Sequence, residues 1–184
     1  MEKIPHELIV TKLKERFGKD ILRTEEEPLY KVLVVTINPA RIVDLLRFLY
    51  EDKDLQFQFL TSLFAVHYPE RKDEEIEMVY LVHSLWKNTR FRIKANLPIS
   101  NPVIDSVTGL YAAANWMERE TYDFFGVQFK GHPDLKRILN VDSMDYFPMR
   151  KEYPLEEGTR TDKDDTMFGR QSLVNKKESL QAKT

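Results

Sequence analysis

The sequence has no cysteine at all and only six glycines among 184 residues. Without cysteine the chain forms no disulfide and offers no thiolate to a zinc ion, an iron–sulfur cluster or a nucleophilic mechanism. The few glycines contain no G-x-G-x-x-G pattern, so dinucleotide binding by this chain has no support. We therefore expect no iron–sulfur cluster, flavin, NADH or other cofactor to be held by this chain itself.

Long apolar runs and an excess of one charge are also missing. The longest stretch free of Asp, Glu, Lys and Arg, residues 55–69, includes two Gln and a His and is shorter than the roughly 20 apolar residues that span a bilayer. The N-terminus "MEKIPHELIV" has no apolar leader, so we expect a cytoplasmic chain without a transmembrane segment. The 28 Lys and Arg against 30 Asp and Glu, a net charge of −2, give no footprint for nucleic acid.

What is present predicts an α+β fold. Apolar spacing predicts a helix over residues 6–17, and Asn38-Pro39 is typical of the start of a second helix. The segments "PLYKVLVVTI", "LQFQFLTSLFAVHY", "IEMVYLVHSL" and "RFRIKANL" predict four strands, the last two forming a hairpin. We expect a mixed four-stranded sheet, covered by helices on one face and solvated on the other.

The second half of the chain predicts a further helix over about 112–125, ended by Gly126, then an edge strand "VQF" and a short helix starting at Pro133. Past Pro154 the composition changes, with 12 charged residues among the last 30. We expect two parts, an α+β domain over 1–154 and an extended C-terminal tail over 155–184 that orders along a partner protein.

The stretch "WMERETYDFFGVQFKGHPDLKRIL", residues 116–139, concentrates charges and aromatic rings, as catalytic and metal sites do. Glu120, Asp123 and His132 could serve a free-standing metal-dependent hydrolase. Glu118 and Glu120 differ by about 200° around a helix, so they cannot converge on one ligand, whereas Arg119 and Asp123 are spaced to pair with each other. Gly126-x4-Gly131 lacks the Lys and Ser/Thr of a phosphate loop. The residues alone therefore favour a non-catalytic interaction module.

The same stretch closely resembles the signature of the C subunit of the proton-translocating NADH:quinone oxidoreductase, respiratory complex I, a family also represented in membrane-bound hydrogenases. The blocks "MVYLVHSL", "RFRIKANLP", "SVTGLYAAANWMERE" and "MRKEYPLE" extend the resemblance over roughly residues 30–156. Two departures are visible: His67 stands where the family usually has Asp, and "FPMRKEYPL" replaces the commoner "PLRKDYPL".

The resemblance implies a structural subunit without catalytic residues, in the peripheral arm of the complex at the cytoplasmic face of the bacterial inner membrane. It implies contact with the D subunit and with neighbouring iron–sulfur subunits, and it places the iron–sulfur clusters, FMN and quinone in those partners. The equivalent subunit of a hydrogenase relative is the alternative within the family. The residues that the motif assigns to its fold and subunit interface are Glu118, Arg119, Glu120, Asp123, Phe125, Gly126, Gly131, His132, Pro133, Arg137, Arg150 and Lys151.

Overall fold

The computed structural model describes residues 3–153, and the part up to Lys151 forms one compact unit. The predicted tail over 155–184 lies outside the described residues. In chain order the elements are α1 His6–Phe17, β1 Ile21–Glu27, β2 Val32–Ile37, a 3-10 turn Pro39–Arg41, α2 Ile42–Glu51, β3 Phe59–His67, β4 Ile76–Ser84, β5 Thr89–Leu97, β6 Val103–Asp105, α3 Ala114–Phe125 and β7 Gln128–Lys130.

The main sheet is mixed, as predicted, but it has five strands rather than four. Its order is β1-β2-β5-β4-β3, with β2 and β5 parallel and the other neighbours antiparallel. The strand that the prediction missed is β1, "ILRTEEE", which is mostly exposed and pairs only with β2. An edge strand of this kind buries little, so its sequence lacks the apolar alternation that marks a strand.

One face of the sheet carries the core, as the alternation in the last predicted strand indicates. Phe91, Ile93, Ala95 and Leu97 of β5 are all at most 2% exposed. They pack in a single cluster with apolar residues of α1 and α2. In α2 the four stripe residues Ile42, Leu45, Leu46 and Leu49 are fully buried, and the Asn38 side chain accepts a hydrogen bond from the Ala40 N–H at 3.1 Å where this helical segment begins.

The opposite face of the sheet is less solvated than expected. Val34 and Val79 point to that face and are only 2% and 4% exposed. Glu77, 5% exposed and two residues before Val79 on β4, pairs with Arg71 at 2.8 Å and with Lys94 at 3.0 Å. A buried carboxylate requires such partners. Part of this face is therefore buried rather than open to water.

α3 packs against the edge strand β3. The chain segments before and after α3 form a small two-stranded parallel sheet. β6 precedes α3 in the chain, β7 follows it, and the two pair over 103–105 and 128–130. The bonds from the Ser106 N–H to the Lys130 carbonyl and from the Gln128 N–H to the Pro102 carbonyl, both 2.8 Å, extend the pairing. The predicted edge strand is thus present, and its partner β6 fixes both ends of the α3 segment.

None of the helices within residues 3–153 combines the length and the apolar character needed to cross a membrane.

Candidate functional site

The charged and aromatic stretch forms α3 and the irregular segment that follows β7. Three of the four charges of α3, those of Glu118, Arg119 and Asp123, are buried. The helix ends at Gly126, whose φ of 77° is left-handed and whose N–H donates to the Tyr122 carbonyl. Because buried charges must find partners, the groups that satisfy these three side chains define the role of the motif.

Glu118 holds the loop that leads into α3. Its carboxyl group, fully buried, accepts hydrogen bonds of 2.7 Å from the Val107 N–H and 2.7 Å from the Ser106 hydroxyl. The Ser106 oxygen lies 2.8 Å from the Thr108 hydroxyl. Burial raises the pKa of Glu118 to about 7, although the bonds from Val107 and Ser106 act in the opposite direction. Near neutral pH this carboxyl group is therefore partly protonated.

We expect Glu118 to make the chain less stable as pH rises. Its pKa in the fold, about 7, is above the ordinary value of 4.5, so folding takes up a proton. The contribution of this proton uptake to the unfolding free energy is complete below the ordinary pKa of 4.5. It is lost as pH rises through the folded pKa, a change of about 3 kcal/mol. Glu118→Gln, which can accept from Val107 and donate to Ser106, should remove this part of the pH dependence.

The measurement is urea unfolding of the chain at about pH 5 and about pH 8, on either side of the raised pKa. The fall in unfolding free energy should be smaller in Glu118→Gln than in the wild type. Glu120→Gln, at an exposed position two residues away, is the matched control and should keep the wild-type slope. An equal fall in unfolding free energy between the two pH values in all three proteins would rule out a raised pKa at Glu118.

Asp123 organises the segment after β7. Its buried carboxylate accepts five hydrogen bonds: 2.7 Å from the Arg137 guanidinium, 3.1, 2.8 and 2.9 Å from the N–H groups of Ile138, Leu139 and Asn140, and 3.1 Å from the Asn140 side chain. Burial favours the neutral acid, but these donors outweigh it and hold the pKa of Asp123 well below its ordinary range. The side chain is an ionised anchor with no lone pair left for a ligand.

The two arginines of the motif bind backbone carbonyls of the same segment. Arg137 also donates to the Asp123 carbonyl at 3.1 Å, to the Met144 carbonyl at 2.7 Å and to the Tyr146 carbonyl at 3.1 Å. Arg119 donates to the carbonyls of Lys136 at 3.2 Å and Arg137 at 3.1 Å. Both guanidinium groups thus tie α3 to residues 136–146 instead of pointing to a substrate.

Two predictions are wrong because side chains of α3 bond to residues distant in the sequence rather than to near ones. Asp123 pairs with Arg137, fourteen residues away, and Arg119, the predicted partner, binds carbonyls instead. The short helix predicted from Pro133 is absent, since no part of residues 133–140 is helical. The N–H groups of residues 138–140 donate to Asp123, so the side chains of α3 replace the hydrogen bonds that a helix would make.

Residues 147–151 return to the end of α3. The Phe147 ring packs against Gly126 so closely that a Cβ there would lie 2.5 to 2.7 Å from three of its atoms. Arg150 donates to the Phe125 carbonyl at 2.8 Å, and its guanidinium lies 4.7 Å from the Phe147 ring centre. The bond from Arg150 satisfies a free carbonyl at the C-terminal end of the helix.

His67, at the position of the usual Asp, has a structural partner. It is 4% exposed, and its Nδ1 accepts a 2.9 Å hydrogen bond from the Lys151 N–H. An aspartate at this position would also present an acceptor. The Lys151 side chain itself is exposed, so its backbone rather than its charge makes the contact.

The remaining predicted residues lie at the surface. Glu120 is exposed on α3, as are Pro133 and Gly131, whose φ is 81°. His132 is half-buried, with Nε2 3.1 Å from the Asn115 carbonyl and Nδ1 accepting from the Asp134 N–H at 3.0 Å. The structure does not bring Glu120, Asp123 and His132 together, and no group of three His, Asp or Glu residues suited to a metal ion occurs within residues 3–153.

Exposed apolar side chains occur on α3 and on the segment that α3 holds, a feature that charge-based reasoning missed. Trp116 of α3 is 62% exposed, and Leu139, Val141, Tyr146 and Met149 of the following segment are 39% to 65% exposed. Large exposed apolar side chains in one part of a molecule are typical of a protein contact surface. In the sequence, these apolar residues lie within or next to the charged motif, and that proximity could have indicated the contact surface.

Comparison with known proteins identifies the family to which the chain is related. The sequence model of the family described as "Respiratory-chain NADH dehydrogenase, 30 Kd subunit" matches residues 35–159. The C subunit of the NADH-quinone oxidoreductase of Geobacter sulfurreducens is 41% identical over 147 residues, which are 80% of this chain and 88% of that protein. The corresponding C subunit of Rhodobacter capsulatus is 45% identical over 122 residues, 66% of this chain and 60% of that protein.

Solved structures agree with the sequence comparison. A trypsin-resistant fragment of Nqo5 superposes with a TM-score of 0.58 at 32% identity, over 69% of this chain and 98% of the fragment. A chain of the membrane-bound sulfane sulfur reductase, an archaeal respiratory membrane complex, superposes with a TM-score of 0.65 at 26% identity, over 81% of this chain and 85% of that one. The chain belongs to the family of the 30 kDa subunit of respiratory-chain NADH dehydrogenase, the C subunit of complex I.

Proposed function

We propose that this chain is a structural component of the peripheral arm of a proton-translocating NADH:quinone oxidoreductase and contributes no catalytic residue. Electrons pass from NADH to quinone through FMN and iron–sulfur clusters held by partner subunits, at the cytoplasmic face of the inner membrane. Membership of the family and 41% identity to a protein named as the C subunit of an NADH-quinone oxidoreductase support this function.

The observation that carries the proposal is the internal use of the buried charges of α3. The carboxylate of Asp123 is saturated by five donors from residues 137–140, and Arg119 binds the carbonyls of residues 136 and 137. A catalytic acid, base or ligand needs a free lone pair or proton directed toward a substrate. These residues instead hold the segment over 131–151 against α3 in one conformation.

The hydrogen bonds between α3 and residues 131–151 hold a contact surface for partners in one arrangement. Trp116, Leu139, Val141 and Met149 are each more than half exposed and lie on α3 or on the segment over 131–151. A preorganised apolar surface loses little conformational entropy on binding, which favours stable association. We assign this surface to the D subunit and the neighbouring iron–sulfur subunits, with the exposed Glu120 at its polar rim.

The equivalent subunit of a complex I relative is the second candidate. The structural similarity to a chain of the membrane-bound sulfane sulfur reductase favours it. The higher sequence identity to the C subunits of NADH-quinone oxidoreductases favours the first candidate.

Purification of the tagged chain from mildly solubilised membranes, followed by identification of every associated protein, tests the proposed function. We expect subunits with cysteine-rich motifs, together with the NADH-oxidising subunits if the first candidate is right. A donor-oxidising subunit of another type in their place would favour the second candidate. Recovery of the chain alone would contradict both.

The purified chain itself should be colourless. It has no cysteine to ligate iron and no glycine-rich nucleotide loop, so we expect no visible absorption and no stoichiometric iron, flavin or NADH. Absorption spectroscopy and metal analysis of the full-length chain check this expectation. Iron or flavin at one equivalent per chain would contradict it.

A further inference from the structure

A basic cleft of about 700 Å³ lies at one end of the main sheet, formed by residues outside α3 and the 131–151 segment. Because β2 and β5 are parallel, the turn before β2 and the turn before β5 lie at the same end. These two turns line the cleft together with Lys3, Ile4 and His6 near the N-terminus and Thr61 on the edge strand β3.

The lining of the cleft carries an excess of positive charge. Lys3, Lys31, Arg90 and Arg92 line it, whereas no Asp or Glu of the described residues does. None of these four cations forms an ion pair with another residue of the part between positions 3 and 153. His6, which also lines the cleft, is bonded to Glu26 at 2.8 Å. In a chain of net charge −2, four such cations around one concave surface form a local attractive site for anions.

Exposed apolar side chains occur in the turns before β2 and β5, and one of them, Tyr30, lines the cleft. Leu29 and Tyr30 of the β1–β2 turn are each 73% exposed, and Leu85 and Trp86 of the β4–β5 turn are 57% and 67% exposed. Aromatic residues and arginine together are enriched in protein interfaces. The surface therefore offers both charge pairing and apolar contact.

The walls of the cleft are held in place before any partner binds. The Ile4 N–H donates to the Thr89 hydroxyl at 2.9 Å, which ties the N-terminal wall to the start of β5. The Lys31 N–H donates to the Glu27 carbonyl at 2.8 Å and closes the turn that carries Tyr30. A preformed concave site suits a protruding chain segment better than a flat bilayer surface.

We propose that this cleft binds an acidic segment of a neighbouring subunit, whose carboxylates pair with Arg90, Arg92, Lys3 and Lys31 and whose apolar side chains pack on Tyr30 and Trp86. The inference rests on the proposed function, since the partner belongs to the same complex. It adds a second contact surface to the one around α3. Pairing with Arg guanidinium groups would be bidentate, which fixes the direction of the bound segment.

The experiment places a photoreactive phenylalanine derivative at Thr61 in the full-length tagged chain, in its native membranes. Irradiation, purification and peptide mapping should identify a segment of another subunit that is rich in Asp and Glu. The double variant Arg90→Glu/Arg92→Glu should lower the crosslink yield about tenfold or more, as expected when like charges replace an ion pair. Changing the crosslinked carboxylates to Lys should restore the yield.

Arg47→Glu is the matched control, because Arg47 is exposed on α2 away from the cleft. It should leave the crosslink unchanged. If the double variant does not fold, Lys3→Glu, a change to another cation that lines the cleft, replaces it and should also lower the yield. Crosslinks to lipid, to a second copy of the chain or to nothing, in a chain that still co-purifies with other subunits, would overturn the cleft assignment alone. A wild-type chain that co-purifies with no other protein of the complex would overturn the proposed function as well.

Discussion

Asp123→Asn is expected to lower the unfolding free energy of the isolated chain by about 3–5 kcal/mol, the usual cost of leaving one member of a buried ion pair alone. The substitution removes the charge opposite Arg137, 2.7 Å away, and turns an amide toward backbone N–H groups that need an acceptor. Urea denaturation of the isolated chain measures the loss. Asp142→Asn, an exposed aspartate of the same segment, should change stability by less than about 0.5 kcal/mol.

Amide hydrogen exchange locates the effect. The N–H groups of Ile138, Leu139 and Asn140 donate to Asp123 in the wild type. In Asp123→Asn their exchange should accelerate by about 100-fold or more, because the segment opens without unfolding the sheet. Unchanged protection of these three amides would show that Asp123 does not hold the segment.

Gly126→Ala is expected to displace residues 147–151 from the end of α3. At a φ of 77° an alanine loses about 1–2 kcal/mol to the left-handed conformation. Its Cβ would also lie 2.5 to 2.7 Å from atoms of the Phe147 ring, so the ring must move. The total loss of stability, measured by urea denaturation, should therefore exceed the conformational cost alone.

Gly131→Ala separates the two contributions. Gly131 has a φ of 81°, but a Cβ there meets no atom of the described residues within 4 Å. Its substitution should cost only the left-handed conformation, so the difference between the two variants measures the collision with Phe147. In a Phe147→Ala background, Gly126→Ala should cost about as much as Gly131→Ala. An equal cost of both glycine substitutions in the wild-type background would refute the role of Phe147.

The elements that could be predicted from the sequence are those with a strong local pattern. α1 spans the predicted residues, 6–17, and each strand of the β4–β5 hairpin differs from the prediction by one residue at one end. Gly126 ends α3 in the left-handed conformation expected of it. In each case apolar periodicity or a single turn residue carries the information, so short-range reasoning suffices.

The parts that could not be predicted depend on partners distant in the chain. Arg137 reaches Asp123 across fourteen residues, and Lys151 reaches His67 across 84. The sequence suggested an ion pair between Arg119 and Asp123 because only local spacing was available. Buried charges such as Glu118 could be noticed, but whether they faced a ligand or the protein's own backbone depended on loops with no periodic pattern.

Turnover per assembled complex in Arg137→Ala membranes is the most direct test of the claim that the motif's charges are structural. Arg137 joins Asp123 to the Met144 and Tyr146 carbonyls, so its loss should reduce the amount of assembled complex, with Arg47→Ala, at an exposed position on α2, as the control. NADH:quinone reductase activity, divided by the amount of intact complex, should equal that of the wild type. Normal assembly with reduced activity per complex would contradict the account, because that result would place Arg137 in the chemistry rather than in the scaffold.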